Sequence, residues 1–444
     1  MGKGNTSTKS ARRACEGRVE EVGVELQRML TASVVDELRQ ESGYNPRQRT
    51  ATALRLLLVV IEGYLLGQTL SFAALRAIFC RRFGFVRPCP FQKRFKQEAA
   101  AKFFRLATER VVNAVVAASG LRLTGVLASF TDVRIYDGTG QRVPPRGRAA
   151  LPACRPDKAG TKWVIGYSVK TGLLEHGIVG AETASESPLW RRLVPRFTSG
   201  VLYLLDLGFF ERKVFAEVQA AGAHLLMRLK SSAKVRVVAQ RNRNGSVSTI
   251  NECSLSYYIK YLSRRRGTMF DLDVRWGDGK NAVVLRLVGY AHRYNDMRWY
   301  LTTVPRDQLS TKQVIKAYRL RWLIELLFRE LKQSADLGRS FTADRHAVEA
   351  LTYGAILAHV LVRSLRVHAA LARDVPLEEL RPLACLHVVR AYAGEIVDAL
   401  QLADVAHWHH ILSRLTEVLT PFARERKPSR SRPRIALEMG AIGA

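Results

Sequence analysis

VLYLLDLGFFERKVFAEVQAAGAHLLMRLK, residues 201–230, decides the fold class. Val201–Leu205 is a short, wholly apolar run that stops at Asp206, the composition of a strand buried on both faces. ERKVFAEVQAAG (211–222) reads as a helix, and HLLMRLK (224–230) as a second strand. Working upstream, the pattern keeps period two. Residues Leu127 to Tyr136 read as a strand ending in Asp137-Gly138-Thr139, with a turn aspartate beside Gly138 as the plainer role of Asp137. TKWVIGYSVKTG (161–172) and LLEHGIVGAET (173–183) form a hairpin turning near Gly172. The order is therefore three strands, then strand, helix, strand.

That order is the signature of a ribonuclease-H-like α/β core spanning 121–231. Residues 232–304 are strand-rich again: FDLDVRW (270–276) and AVVLRLVGYA (282–291) flank a Gly277-Asp278-Gly279 turn, and Asn295-Asp296 precedes MRWYLTTV. This stretch interrupts the α/β order and reads as an inserted β-region. Ser310 then opens a helix with Gln313 three positions on, a capping-box pattern, and Gly338 marks its stop. The helix is expected to run to about Ala335, so that 305–365 completes the core with this helix and the one after it. Helices continue through 366–420. The tail from 421 to 444, with RERKPSRSRPR, is basic, broken by Pro and Ser, and expected to be disordered, as is 1–13.

Residues 14–120 are helical, with apolar positions at threes and fours in VELQRMLTASVVDELRQ (24–40) and AAAKFFRLATERVVNAVVAA (99–118). Between them Arg81, Arg82, Lys93, Arg94 and Lys96 cluster around a break at Gly84 and Pro88–Pro90, as in a compact DNA-binding element; a solvated basic face is the plainer alternative. The whole chain leans the same way. Its 444 residues carry 70 Lys and Arg against 39 Asp and Glu, a net charge of +31. Such a balance favours a polyanion, while 47% hydrophobic residues allow real cores and exclude a disordered tail protein. Six scattered cysteines without a C-x-x-C pair argue against zinc ribbons and disulfide scaffolds, and fit a reducing cytoplasm. The first residues lack the apolar core of a signal peptide. The run from Leu54 to Gly67 is too short to span a bilayer and holds Arg55 and Glu62, so no membrane partner is expected.

AYRLRWLIELLFRELKQ (317–333) is the most informative stretch. At about 100° per residue, Tyr318, Arg321, Glu325 and Lys332 fall within an arc of roughly 60°, with Leu320, Ile324, Leu327 and Leu331 opposite. Spacing alone leaves two readings, a solvated face or a stripe aimed into a groove.

The spacing Y-x2-R-x3-E-x6-K resembles the YREK signature of bacterial insertion-sequence DDE transposases of the IS-four group. YDGT at 136–139, DLGFF at 206–210 and the arginine strand HLLMRLK resemble that family's words in the same order, from about residue 130 to 365. The resemblance implies catalytic and metal-binding carboxylates at Asp137, Asp206 and Glu325, with Asp132 as a competitor for the first place and a salt bridge to Arg321 or Arg329 as the plainer role of Glu325. It implies DNA contacts at Tyr318, Arg321, Lys332 and Arg228, and a stacking partner for a flipped base at Trp322 or Trp299. Two Mg²⁺ ions per site, with Mn²⁺ able to substitute, suit three hard-oxygen ligands and an in-line phosphoryl displacement. The implied activity is cleavage at terminal inverted repeats in double-stranded DNA, through a hairpin intermediate, and strand transfer into target DNA. A homodimer in the synaptic complex and a nucleoid-associated place in a bacterial cytoplasm follow from the same likeness. Two rivals remain: a ribonuclease-H-like nuclease that cuts without joining, and a transposase-derived protein that binds DNA without chemistry.

Overall fold

The computed structural model describes residues 24–424 apart from 26, 46–49, 68–69, 119–121, 243–245, 263–266, 280–281, 294–295, 335–336 and 376. Residues 1–13, 425–444 and Cys15 lie outside the described residues, whereas 421–423 of the expected disordered tail are the end of a helix, Val405–Ala423. Ten strands form one mixed sheet in the order β3-β2-β1-β4-β5-β10-β9-β8-β6-β7. They are β1 (Asp132–Val143), β2 (Ala159–Ser168), β3 (Leu174–Ala181), β4 (Val201–Leu205), β5 (His224–Arg228), β6 (Val235–Arg241), β7 (Val247–Ser254), β8 (Met269–Trp276), β9 (Val283–Arg293) and β10 (Asp296–Thr302). β1 runs parallel to β4, and β4 parallel to β5; the remaining neighbours pair antiparallel. The hairpin turns at Gly172, whose φ of 67° suits glycine. The strand-rich stretch 232–304 does not stand apart from the sheet: β10 pairs with β5, and the other four strands extend the sheet beyond it.

Strand alternation sorts side chains to two faces. Val133, Ile135, Leu202, Leu204 and Leu226 face a large helical layer, whereas Tyr136, Tyr203, Leu205, Leu225 and Met227 face a second core. Against the second core pack α6 (Glu186–Leu193), through Leu189 and Trp190, and α7 (Arg212–Ala220), through Val214, Phe215 and Val218. The helical layer joins the N-terminal helices α1 (Ala32–Ser42), α2 (Ala53–Leu66), α3 (Phe72–Phe83), α4 (Pro88–Phe95) and α5 (Glu98–Ala118) to the C-terminal half. That half comprises α8 (Thr311–Tyr318), α9 (Trp322–Ser334), α10 (Arg345–Ala372), α11 (Pro382–Ala391), α12 (Ala393–Leu402) and α13 (Val405–Ala423), numbering only helices of eight residues or more.

α10 is the axis of this layer. It is long and apolar enough to cross a membrane, but its residues from Ala350 to Leu365 are buried inside the protein. Gly354 marks its closest crossing, where a Cβ would lie 2.2 Å from Val60 Cγ1 of α2. The apolar run of α2 is likewise a core helix, and its Glu62 is fully buried, paired with both Arg81 and Arg82 of α3. Arg82 also pairs with Asp398 of α12. Part of the basic cluster seen in the sequence thus holds helices together; Lys93 and Lys96 remain exposed.

Two local expectations are corrected. The strand at 127–136 begins only at Asp132, after a 3₁₀ turn at Gly125–Leu127, and it does not end at Asp137-Gly138-Thr139: β1 runs on to Val143. The reason is β2, which stays paired with β1 through Val143↔Ala159 after the β4 pairing ends at Tyr136↔Leu205. The helix from Ser310 is capped as expected, with Ser310 and Gln313 bonding reciprocally, but it tightens into a 3₁₀ turn at Arg319–Arg321 before α9 begins.

The Gly354 crossing predicts that Gly354→Val is destabilising by about 1–3 kcal/mol, the usual range for overpacking. Chemical denaturation of the two proteins measures this, and an unchanged midpoint would refute the close approach.

Candidate active site

The parallel pairing places the first two acids. Tyr136 stands opposite Leu205, and Leu205 opposite Met227. One step further along the strands, Asp137 lies within β1 just past the end of its β4 pairing, side by side with Asp206 and Arg228 at the carboxyl ends of β4 and β5, with neighbouring strands about 4.8 Å apart. Tyr300 of β10 continues the row in register with Arg228. By alternation the row belongs to the face covered by α8 and α9.

These helices bring the remaining groups. Leu320, Ile324, Leu327 and Leu331 are buried, as the apolar stripe requires, so the opposite stripe meets the strand ends. Tyr318 is buried, its hydroxyl 3.4 Å from the Leu205 carbonyl and 3.5 Å from Asp206 Oδ1, its ring 5.0 Å from that of Tyr300. Burial, reinforced by the Asp206 carboxylate, pushes its phenol well above the ordinary range. Arg321 donates from Nη1 to Asp137 Oδ2 at 2.8 Å and from Nη2 to Glu325 Oε1. The other oxygen of Asp137 accepts the Gly138 N–H at 2.8 Å. Burial above all, together with the nearby Asp206 and Glu186, pushes Asp137 up to about 6 against the pull of Gly138 and Arg321. Two elements hold the stripe in place. Glu330, also on α9, accepts from Arg363 of α10 at 2.8 Å. Asp271 of β8 binds Arg286, Arg306 and the Thr311 hydroxyl at the start of α8, and Arg286 reaches the Leu309 carbonyl. Burial pushes Asp271 up, but Arg286 and its neighbours outweigh this and leave it below the usual carboxylate range.

Asp132, the competing carboxylate, has other work. It accepts from Ser168 Oγ, the Lys170 N–H and the Val133 N–H, tying the β2–β3 turn to β1.

Two acids on adjacent parallel strands, with a helix glutamate drawn to them through one arginine, coincide with a family match. Residues 128–361 match the transposase DDE domain, which spans both strand ends and the helix. The chain belongs to the DDE transposase family. Among similar proteins, the transposase for insertion sequence element IS231F of Bacillus thuringiensis subsp. israelensis is 22% identical over 379 residues, covering 77% of this chain and 78% of the relative. The IS231B transposase of Bacillus thuringiensis subsp. berliner is 20% identical over 373 residues, covering 75% and 77%. A cryo-EM structure of the piggyBac transposase synaptic complex with hairpin DNA aligns over 93% of this chain and 87% of that one, at 12% identity and a TM-score of 0.43, a likeness too loose to carry an inference.

In this transposase the expected site residues do not all meet. Asp137, Asp206, Tyr318, Arg321 and Glu325 do, with Arg228 exposed at the edge of the row. Lys332 is exposed about two turns of α9 beyond Glu325, over Gly338. Trp322 is 43% exposed rather than in the core, and so free to stack, whereas Trp299 lies flat over Gly289 of β9 beside Phe270. The arginine bridge assigned as the plainer role of Glu325 is present, and it joins Glu325 to Asp137.

Glu186, at the start of α6, was not singled out in the sequence. Its carboxylate fills the space beside the glycines of both motif words: a Cβ at Gly138 would meet Oε1 at 2.6 Å, and one at Gly208 would meet Oε2 at 2.0 Å. The available signal was the glycine that follows each aspartate, one and two residues on. The hard-oxygen donors suit Mg²⁺, and the carboxylates of Asp137 and Glu325 already share a cation in the form of Arg321. With that side chain between them, no three His, Cys, Asp or Glu among the described residues are close enough to hold one ion. Asp137, Asp206 and Glu325 would hold the metal once Arg321 engages another anion.

The raised Asp137 value gives a signed pH dependence. Its folded value of about 6 exceeds the ordinary 3.8, so the folded state binds the extra proton between them, and stability falls as pH rises from about 4 to 6. Melting in chelator should therefore favour Asp137→Asn over wild type increasingly across that window. A constant difference between the two would show that the carboxyl titrates normally.

Proposed function

We propose that this transposase cuts double-stranded DNA at the terminal inverted repeats of its element and joins the freed ends to target DNA. The observation that carries the reading is the register that sets Asp137 beside Asp206, with Glu325 reached through Arg321. β1 to β5 constitute a ribonuclease-H-like core, and β6 to β10 are its insertion. Mg²⁺ bound to the three carboxylates, as two ions, would offset charge on the attacking and leaving oxygens.

The protein's own groups do the rest. Arg321 exchanges its carboxylates for a phosphate of the DNA end, which uncovers the acids only when substrate is present. Lys332 and Arg228 neutralise flanking phosphates, and Tyr318, held by burial in its neutral form, donates its hydroxyl. Trp322 offers an exposed ring to an unstacked base. One site serves hydrolytic nicking, attack by the freed 3′-OH on the opposite strand to form a hairpin, hairpin opening and strand transfer, since each is the same displacement with a different nucleophile. The helices of 14–120 bind the terminal repeats, and a homodimer pairs two ends within the bacterial nucleoid. Glu186 orients the strand ends and their acids from the opposite side of the sheet.

A labelled duplex carrying the element's terminal repeat, incubated with Mg²⁺, tests this. Wild type should cleave it and give a hairpin band on a denaturing gel, and Glu325→Ala should not cleave. Equal cleavage by both removes Glu325 from the site; binding without cleavage by wild type favours a retired, DNA-binding protein. Glu186→Gln should slow cleavage by about 10–100-fold, as loss of a supporting group around a metal site does. A rate equal to wild type would leave Glu186 a packing residue.

A further inference from the structure

A basic cleft lies beyond Lys332, outside the carboxylate site. β1, the loop leading to β2 and the segment after α9 enclose a cavity of about 800 Å³ whose lining includes Arg142, Arg155, Lys158, Arg339, Glu182 and Pro144. A second hollow of about 500 Å³ shares Arg142, Arg339 and Glu182 with it and reaches Lys332. The wall is firm. The Arg142 N–H donates to the Gly338 carbonyl at 3.0 Å, and the Ser340 N–H donates to the Arg142 carbonyl at 2.7 Å. The β1 strand and the chain leaving the catalytic helix are thus stitched together at the cleft floor.

The charges around it are unmatched. Some arginines elsewhere are paired, as Arg82 is by Glu62 and Asp398, and Arg286 and Arg306 are by Asp271. Among the described residues, Arg142, Arg155, Lys158, Lys332 and Arg339 form no ion pair, and Glu182 is the one acid in either lining. Five exposed cations around one connected hollow suit an extended polyanion rather than a single small anion.

We infer that this cleft holds the phosphodiester backbone of a DNA strand running from the carboxylates past Lys332 to Arg155 and Lys158. The inference rests on the proposed DNA-cutting function and adds a path for the strand away from the reacting phosphate.

Binding of a labelled random-sequence duplex, followed by fluorescence anisotropy over a series of salt concentrations without metal, tests it. The variant Arg142→Ala/Arg155→Ala/Lys158→Ala/Arg339→Ala changes only exposed side chains, and circular dichroism and melting verify its fold. Its slope of log affinity against log salt should be shallower than wild type by about 0.9 for each phosphate no longer neutralised, or about 3–4 in all. Glu182→Gln should tighten binding, whereas Glu395→Gln, the same charge change on α12, should not. An unchanged slope in the quadruple variant, with wild type binding, overturns the cleft alone. Equal tightening by both glutamine variants also overturns it, by showing that only net charge matters. No binding by wild type overturns the DNA-cutting function as well.

Discussion

Everything at this site depends on the parallel pairing of β1 with β4. Two aspartates 69 positions apart in sequence become neighbours because Tyr136 and Leu205 are in register and both chains point the same way. Like charges so close repel, and burial adds to the cost. Asp137 answers by rising to about 6, and Arg321 answers by reaching between Asp137 and Glu325. The arginine is therefore the partner that makes an acidic cluster tolerable and, in the proposed mechanism, the group that leaves before the cluster serves a cation.

The strands of 232–304 bear on this balance from a distance. Asp271 collects two guanidinium groups and the Thr311 hydroxyl, and so fixes the start of α8 to β8 and β9. From there one short helix and a 3₁₀ turn lead to Arg321. The tightened turn changes the phase between Tyr318 and Glu325, letting the tyrosine point down at Asp206 while the arginine reaches Asp137. On the far side, Glu330 and Arg363 clamp α9 to the core helix.

Much of this was legible in the sequence. The apolar run 201–205, the capping box at Ser310 and the four-residue stripe on 318–332 all report local periodicity, which a single chain segment determines by itself. What was not legible depends on pairing across the sheet. The continuation of β1 through Asp137-Gly138-Thr139 is imposed by β2, so a tripeptide with turn chemistry lies straight. The joining of 232–304 to the main sheet requires β10 to find β5, and nothing within either strand announces it. Glu186 stayed hidden because its meaning lies in two glycines elsewhere in the chain, Gly138 and Gly208. Which of the two tryptophans stays accessible was equally hidden: Trp322, at the start of α9, faces outward, whereas Trp299 packs over Gly289.

The long helix α10 also fixes the order in which the protein can be completed. The Thr108 hydroxyl of α5 bonds to the Tyr353 carbonyl, 245 residues further on, and the N-terminal helices share one core with α10 and the helices after it. At a synthesis rate of roughly 5–20 residues per second, α5 waits on the order of ten to fifty seconds for that partner. During this interval the apolar faces of α2 and α5 have no final covering, and a chain cut short before residue 345 would never acquire it. Helices made well before α10 are thus among the last to gain their full packing, so their apolar faces stay uncovered until α10 follows.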